Sequence, residues 1–212
     1  MSNVVVIDYG MSNLRSVQKG LEKVGAKVTL SSNESVIAKA DHLILPGVGA
    51  FESGMNGLKD AGLVGVINDY VKTGNHLLGI CLGMQMLLDF SEENGSYQGL
   101  GLIPGCVKKI PESNKEQVDR KIPHIGWASI KQPKIIDWNG SCLNKIQSND
   151  FFYFVHSYMA VTESQKYMLA HCEDDGLLLA AAIKKDNVTG LQFHPEKSGE
   201  AGLKVLKKFI SL

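Results

Sequence analysis

The segment His76-Leu-Leu-Gly-Ile-Cys-Leu-Gly-Met-Gln85 joins an apolar run to a cysteine that has a glycine two residues to either side. This Gly-x-Cys-x-Gly pattern is the thiol counterpart of the nucleophile elbow, in which a buried strand turns sharply into a helix. The glycines let the backbone crowd together where a side chain would clash. Cys81 would then stand at a helix N-terminus, where free N–H groups and the helix dipole favour a thiolate. The pattern therefore predicts acyl-transfer chemistry at Cys81, although buried cysteines more often serve only for packing.

Length and composition favour a globular protein with a sizeable core. The 212 residues fit a single α/β domain over 1–212, and 22 basic and 22 acidic residues leave no formal net charge. That balance gives no indication of nucleic acid or an anionic membrane as a partner. The sequence shows no signal-peptide pattern and no apolar run near the roughly 20 residues of a membrane helix. We therefore expect a soluble, cytoplasmic protein.

The cysteines are widely spaced and form no Cys-x-x-Cys pair, so they predict neither a zinc site nor a redox centre. Cysteines of this kind in a cytosolic protein stay as free thiols, and only Cys81 has a local sequence that indicates reactivity. The four are Cys81, Cys106, Cys142 and Cys172. We expect no metal site.

The first half of the chain alternates strand-like and helix-like segments, which predicts a mainly parallel central sheet flanked by helices. The run Val4–Ile7 is apolar throughout, as in a strand buried on both faces. Further strands are predicted over 27–30, 42–45 and 76–80. Helices are predicted over 14–24, ending at Gly25, and over 51–72 with a break near Gly62.

The second half favours antiparallel strands. Phe151–Tyr158 is aromatic and predicts one strand, and two apolar runs flank Lys184–Asn187 as a hairpin. Loops are predicted over 99–105 and, exposed, over 112–121. A closing helix is predicted over about 199–210.

A base for Cys81 is found in Leu191-Gln-Phe-His-Pro-Glu196, at the end of a strand-like run. Pro195 favours an extended backbone at His194, so Glu196 would point the same way as the imidazole. A carboxylate there would orient His194 and stabilise the imidazolium, as in a catalytic triad. Without the elbow, this short string would more often be a surface turn.

An oxyanion would need two hydrogen-bond donors. The Leu82 amide at the elbow is one, and an amide near Val48 or Gly49, in Leu45-Pro-Gly-Val-Gly-Ala-Phe51, is the other. The alternative is that these glycines serve only a strand-to-helix connection.

The combination of Gly79-Ile-Cys-Leu-Gly-Met-Gln85 with Gln192-Phe-His-Pro-Glu196 resembles the class I, or triad-type, glutamine amidotransferases. One branch of that family, the glutaminase subunits of imidazole glycerol phosphate synthases, also resembles this sequence in further segments. The further similar segments are Ile7-Asp-Tyr-Gly-Met-Ser-Asn-Leu-Arg-Ser16, the Leu45–Phe51 segment, Pro123-His-Ile-Gly-Trp127, Tyr153-Phe-Val-His-Ser-Tyr158 and His194-Pro-Glu-Lys-Ser198.

The resemblance implies roles for individual residues. Cys81 would be the nucleophile, His194 the base and acid, and Glu196 the residue that orients it, while the Val48 amide would turn inward to complete the oxyanion hole. No cofactor would be needed. The implied glutamine-binding residues are Gln85, Glu93, His156, Ser157 and Tyr158, with His156 only lining the pocket; the implied partner-interface residues are Trp127, Tyr153 and Lys197.

The same resemblance implies a heterodimer with a (β/α)₈-barrel cyclase subunit, which would receive the ammonia released from L-glutamine. Two positions depart from the branch, Ser12 in place of glycine and Ala128 in place of asparagine. Three alternatives stay open: a related amidotransferase that supplies a sugar-modifying partner in surface polysaccharide synthesis, a stand-alone thiol amidohydrolase, and a non-catalytic interaction subunit.

Overall fold

A seven-stranded sheet lies at the centre of the computed structural model, which describes residues 2–10, 13–113 and 118–212. Within those ranges the strands are β1 (Asn3–Ile7), β2 (Lys27–Ser31), β3 (His42–Gly47), β4 (His76–Cys81), β5 (Phe90–Ser91), β6 (Tyr97–Gln98), β7 (Gly105–Lys109), β8 (His124–Ser129), β9 (Phe151–His156), β10 (Tyr158–Thr162), β11 (Met168–Asp174), β12 (Leu177–Lys185) and β13 (Val188–Leu191). The α-helices are α1 (Leu14–Lys23), α2 (Glu34–Ile37), α3 (Phe51–Asp60), α4 (Leu63–Lys72), α5 (Leu82–Met86) and α6 (Gly199–Phe209).

The central sheet has the strand order β11-β12-β13-β4-β3-β1-β2. The five strands from β13 to β2 run parallel, and β12 and β11 add an antiparallel edge. The predicted mainly parallel sheet with an antiparallel, β-rich second half is therefore confirmed. A smaller four-stranded sheet, β10-β7-β5-β6, and the β8-β9 ribbon complete the β-structure of the described residues.

Both faces of the central sheet are covered, as the apolar sequence of β1 predicts. Val4 and Val6 pack into one hydrophobic cluster, Val5 and Ile7 pack into another, and all four are fully buried. Alternate side chains of a strand point to opposite faces, so a strand between two helical layers must be apolar at every position.

Several boundaries agree with the predictions. The helix pair breaks at Gly62, which has φ +69°, and α1 is followed by Gly25 with φ +93°. Glycine takes these left-handed conformations without steric cost. The predicted hairpin is confirmed, with Lys185 paired to Val188 across a two-residue turn, and α6 ends one residue before the predicted helix end.

The predicted strand over Phe151–Tyr158 is confirmed as β9 as far as His156, but its continuation to Tyr158 is wrong. The chain breaks at Ser157: β9 pairs with β8, whereas β10 pairs with β7 in a different sheet. The ring nitrogen Nδ1 of His156 bonds the carbonyl oxygen of Tyr158 at 2.8 Å across the break. Local β-propensity is the same on both sides, because the change of partner depends on strands distant in sequence.

The prediction of an exposed loop over 112–121 is wrong for Arg120. Its side chain is 5% exposed and its guanidinium contacts Asp174, with Nη1 3.4 Å from Oδ2. Residues 114–117 of this loop, like Ser12, lie outside the described residues.

No helix within the described residues is long and apolar enough to cross a membrane.

Candidate active site

Close backbone packing forms the elbow at Cys81. The residue has φ +55° and ψ −112°, a conformation that non-glycine residues rarely adopt. A Cβ at Gly79 would lie 2.6 Å from the Gly83 carbonyl oxygen, and one at Gly83 would lie 1.9 Å from that of Leu45. Both glycines are therefore needed for the backbones of β4, α5 and β3 to approach this closely, as the sequence pattern predicts.

The sheet topology brings His194 to Cys81. Strands β13 and β4 are parallel neighbours with Leu191 opposite Ile80, and His194 follows three residues after β13. Side chains that follow neighbouring parallel strands emerge at the same edge of a sheet. Nδ1 of His194 lies 2.8 Å from Oε1 of Glu196, and both side chains are buried.

The charges around His194 favour its protonated form. Burial lowers its pKa, but hydrogen bonds to Cys81 and Glu196 and the negative charges of both outweigh burial and raise the pKa to about 9. An imidazolium between a thiolate and a carboxylate is the arrangement that a cysteine nucleophile requires. The three predicted catalytic side chains thus form one connected group.

A cavity of about 340 Å³ lies next to this group. Cys81 and His194 open into it, whereas Glu196 lies behind the imidazole. The cavity wall contains every residue predicted for the oxyanion hole and for glutamine binding, namely Val48, Gly49, Leu82, Gln85, Glu93, His156, Ser157 and Tyr158, together with Pro123 and Val155.

Gln85, in the cavity wall, forms a buried hydrogen-bonded pair with Gln192. Nε2 of Gln85 donates to the Tyr158 carbonyl oxygen at 3.2 Å and to Oε1 of Gln192 at 3.0 Å. Nε2 of Gln192 in turn donates to Sγ of Cys81 at 3.8 Å. Gln192 thus connects the predicted substrate-binding side chain Gln85 to the thiol.

The segment after β3 curves around the cavity. Gly49 has φ +98°, and Oε2 of Glu93 accepts a hydrogen bond from the Phe51 amide at 2.7 Å. The Glu93 carboxylate therefore holds the first residue of α3 while it also faces the cavity.

His156 is a neutral residue of the cavity wall. Burial lowers its pKa to about 4, and Nδ1 donates to the Tyr158 carbonyl oxygen. The neutral state fits the interpretation of His156 as a pocket-lining residue and not as a base.

The predicted interface residues form a group outside the cavity. Trp127 is 55% exposed, its ring centroid lies 5.9 Å from that of Tyr153, and the Lys197 ammonium lies 5.9 Å from the Tyr153 ring. Ile125 and Phe151, on the same ribbon, are also more than half exposed. Exposed apolar side chains gathered in this way are typical of an interaction surface.

Within the described part of the chain, no three histidine, cysteine, aspartate or glutamate side chains come together as they would around a metal ion.

Comparison with known proteins assigns the family. The family model for class I glutamine amidotransferases matches residues 5–212. The chain is 44% identical to "Imidazole glycerol phosphate synthase subunit HisH 1" of Legionella pneumophila over the full length of both chains. It is 46% identical to the HisH subunits of Methanosarcina barkeri, over the full length of both, and of Syntrophotalea carbinolica, over 97% and 98% of the two chains.

The chain belongs to the class I glutamine amidotransferase family.

Solved structures agree on the fold of this amidotransferase. PurLQS from Thermotoga maritima superposes with a TM-score of 0.69 at 20% identity, covering 100% of this chain and 99% of that one. A structure described as glutamine amidotransferase superposes with a TM-score of 0.70 at 15% identity, covering 98% and 99%.

Two side chains in the amidotransferase site have no assigned role in the sequence-based prediction. Asn13 donates from Nδ2 to Oε1 of Glu196 at 3.1 Å, and Gln192 contacts Cys81. Both lie inside segments that resemble the family, which is the signal that could have identified them. Oε2 of Glu196 has no hydrogen-bond partner among the described residues, although it is buried.

Proposed function

We propose that this amidotransferase is the glutaminase subunit of an imidazole glycerol phosphate synthase, with residues 1–212 forming one domain. The carrying observation is that Cys81 and His194 open into the same cavity as Gln85 and Glu93. Identities of 44–46% to HisH subunits, over essentially the whole of each chain, support this branch of the family.

The proposed reaction begins with attack of the Cys81 thiolate on the side-chain amide carbon of glutamine. A carbon–sulfur bond forms, and amides from Val48, Gly49 and Leu82 stabilise the oxyanion. His194 then donates its proton to the departing nitrogen, the carbon–nitrogen bond breaks, and ammonia leaves a thioester on Cys81. His194 next accepts a proton from water as its oxygen attacks the thioester, and the carbon–sulfur bond breaks. This releases glutamate, whose new carboxyl group loses its proton to solvent, and restores the Cys81 thiolate beside protonated His194.

The cavity supports glutamine as the substrate. Glu93 supplies a carboxylate that suits the substrate's ammonium group, and Gln85 supplies an amide. The backbone at Ser157 and Tyr158 forms the facing wall, with His156 behind it. Because His156 is neutral, it does not repel the substrate's ammonium group, and the carboxylate of Glu93 is the principal charge that attracts it.

The product ammonia requires a partner, because ammonia released into neutral water becomes mostly ammonium and loses its nucleophilic lone pair. We propose a heterodimer with a (β/α)₈-barrel cyclase subunit that contacts Trp127, Tyr153 and Lys197. The exposed apolar residues Ile125 and Phe151 would widen that contact. The cyclase would use the ammonia to convert a ribulosyl-formimino carboxamide nucleotide into imidazole glycerol phosphate and an aminoimidazole carboxamide ribotide. A cytoplasmic location fits four unpaired cysteines.

The test is reconstitution with a purified cyclase subunit. Glutamine should support formation of imidazole glycerol phosphate by the complex, and Cys81→Ser should abolish the glutamine-dependent reaction while added ammonium salts still support it. Cys106→Ser is the matched control, since Cys106 is a half-buried thiol outside the cavity, and should leave the rate within about twofold.

The outcome also separates the alternatives. Vigorous hydrolysis of peptides or glutamine by the isolated chain would favour a stand-alone amidohydrolase. Glutamine hydrolysis that responds only to a sugar-modifying partner would favour the polysaccharide branch. A complex with no thioester on Cys81 would favour a non-catalytic subunit.

A further inference from the structure

Tyr9 is a buried tyrosine that contacts the strand leading into the oxyanion segment, defined here as residues 47–50. We propose that Tyr9 is a positioning residue for this segment: its hydroxyl fixes one end while Glu93 fixes the other. The inference rests on the proposed function, because it concerns how the oxyanion donors near Val48 and Gly49 are held.

The hydroxyl of Tyr9 supports the last residues of β3. It donates to the Pro46 carbonyl oxygen at 2.7 Å, and the tyrosine is only 6% exposed. Gly47, the next residue, lies opposite Cys81 in the parallel register of β3 and β4. A Cβ at Gly47 would lie 3.0 Å from the Tyr9 hydroxyl and 2.9 Å from the Gly83 nitrogen. The hydroxyl is thus packed against the backbone directly beside the nucleophile.

The other end of the segment is held by a carboxylate. Glu93 accepts the Phe51 amide hydrogen at 2.7 Å, and Phe51 is the first residue of α3. Two side chains from outside the segment therefore hold its two flanks, at Pro46 and at Phe51. Between them, reorientation is confined to the few residues that carry the predicted donors.

The Tyr9 hydroxyl remains a donor at physiological pH. Burial, and then the negative charge of Cys81, raise the pKa of Tyr9 above its ordinary value. The ring is also fitted to helix α3, because a Cβ at Gly57 would lie 3.1 Å from Cδ2 of Tyr9 and 3.0 Å from its carbonyl oxygen. The Tyr9 ring therefore packs against α3 while its hydroxyl holds the end of β3 by one hydrogen bond.

Loss of the hydroxyl would leave the Pro46 carbonyl oxygen without this buried donor and would loosen the segment at that end. Oxyanion donors act mainly in the transition state, and loss of one donor lowers a rate by about 10²- to 10³-fold. A donor that is misplaced and not removed should cost less, about 10- to 100-fold in kcat. Glutamine binding in the ground state should change little, because Tyr9 does not line the cavity.

The experiment compares Tyr9→Phe with Tyr70→Phe in the complex with the cyclase subunit. Tyr70 is the matched control: it is 3% exposed and donates to the carbonyl oxygens of Ala40 and His76, at the opposite end of the sheet. We expect Tyr9→Phe to lower kcat for glutamine hydrolysis by about 10- to 100-fold with KM within twofold. Tyr70→Phe should leave both constants within about twofold.

Alkylation of Cys81 by iodoacetamide separates positioning from general damage, because that reaction forms no oxyanion. Its rate should stay within about twofold in Tyr9→Phe. Should this variant fail to fold, Gly57→Ala provides a milder test, since its methyl group would press on both the carbonyl oxygen and the ring of Tyr9 while alanine favours the helix.

Equal kcat values for Tyr9→Phe and Tyr70→Phe, a higher kcat in Tyr9→Phe, or matched losses in kcat and alkylation would overturn the inference and leave the proposed function standing. A wild-type complex that does not hydrolyse glutamine would overturn the proposed function, and the inference with it.

Discussion

Glu196→Gln changes the charge behind His194 with little change in shape. In the wild-type protein Oε1 of Glu196 lies 2.8 Å from Nδ1 of His194 and accepts a hydrogen bond from Asn13. The carboxamide keeps an oxygen that can accept from the imidazole, but it cannot offset the charge of an imidazolium. We therefore expect the variant to fold, to bind glutamine and to hydrolyse it slowly.

Two estimates give the size of the effect. Unit charges about 4 Å apart attract by about 4 kcal/mol at an effective dielectric constant of about 20. The rise of the His194 pKa to about 9 is equivalent to about 3 kcal/mol, which Cys81 and Glu196 provide together against the opposing effect of burial. Because Cys81 provides part of this stabilisation, the loss on removing the Glu196 charge is at most about 3 to 4 kcal/mol, which lowers kcat by at most about 10²- to 10³-fold.

The assay is glutamine hydrolysis by the complex with the proposed cyclase subunit, with kcat and KM measured separately. Glu200→Gln is the control, because this exposed glutamate lies four residues away in the first turn of α6. NMR titration of labelled histidine should show that the pKa of His194 falls from about 9 toward its ordinary value in Glu196→Gln.

A variant Glu196→Gln that keeps more than a tenth of wild-type kcat would refute the charge-stabilisation role. An unchanged titration of His194 would refute it independently, because the shift would then come from Cys81 alone.

Gly83→Ala should destabilise the fold by more than about 3 kcal/mol in urea unfolding, since its Cβ would lie 1.9 Å from a carbonyl oxygen, whereas Gly65→Ala, with open space in a helix, should be neutral or stabilising. A glutamine-analogue electrophile should label Cys81 but not Cys142, whose pKa burial raises to about 12; labelling that survives Cys81→Ser would contradict this. Burial lowers the pKa of His156 to about 4, so its contribution to stability is complete above pH 6.5 and is lost as the pH falls toward 4. Urea unfolding should show about 2 kcal/mol of that loss between pH 7 and 5, and none of it in His156→Gln.

The elbow was predictable because its determinants are local. The apolar run before Cys81 and the glycines at 79 and 83 are close in sequence, and each acts through the backbone of its own neighbourhood. The sheet class followed in the same way from alternating strand and helix patterns. Local patterns report the conformation of a segment and its buried faces, which is why these predictions agree with the structure.

Contacts between distant segments were not predictable from such patterns. Asn13 and Glu196 are 183 residues apart, and their hydrogen bond depends on α1 packing beside the turn that follows β13. Arg120 has the local sequence of an exposed loop but is buried by Asp174 from β11. Neither pairing leaves a periodic signal in the chain.

The wrongly predicted end of strand β9 lies at the site itself. Val48 follows β3 directly, Cys81 ends β4 and His194 closely follows β13, so three adjacent parallel strands bring the thiol, its proposed base and the proposed oxyanion segment to one edge. If β9 continued through residue 158, these residues would stay paired with β8 in the two-stranded ribbon. Because the chain instead turns at Ser157 into another sheet, the 156–158 backbone forms the facing wall of the cavity. The deviation from local strand preference therefore lies at the wall of the proposed substrate cavity, and functional sites are where local sequence rules are expected to fail.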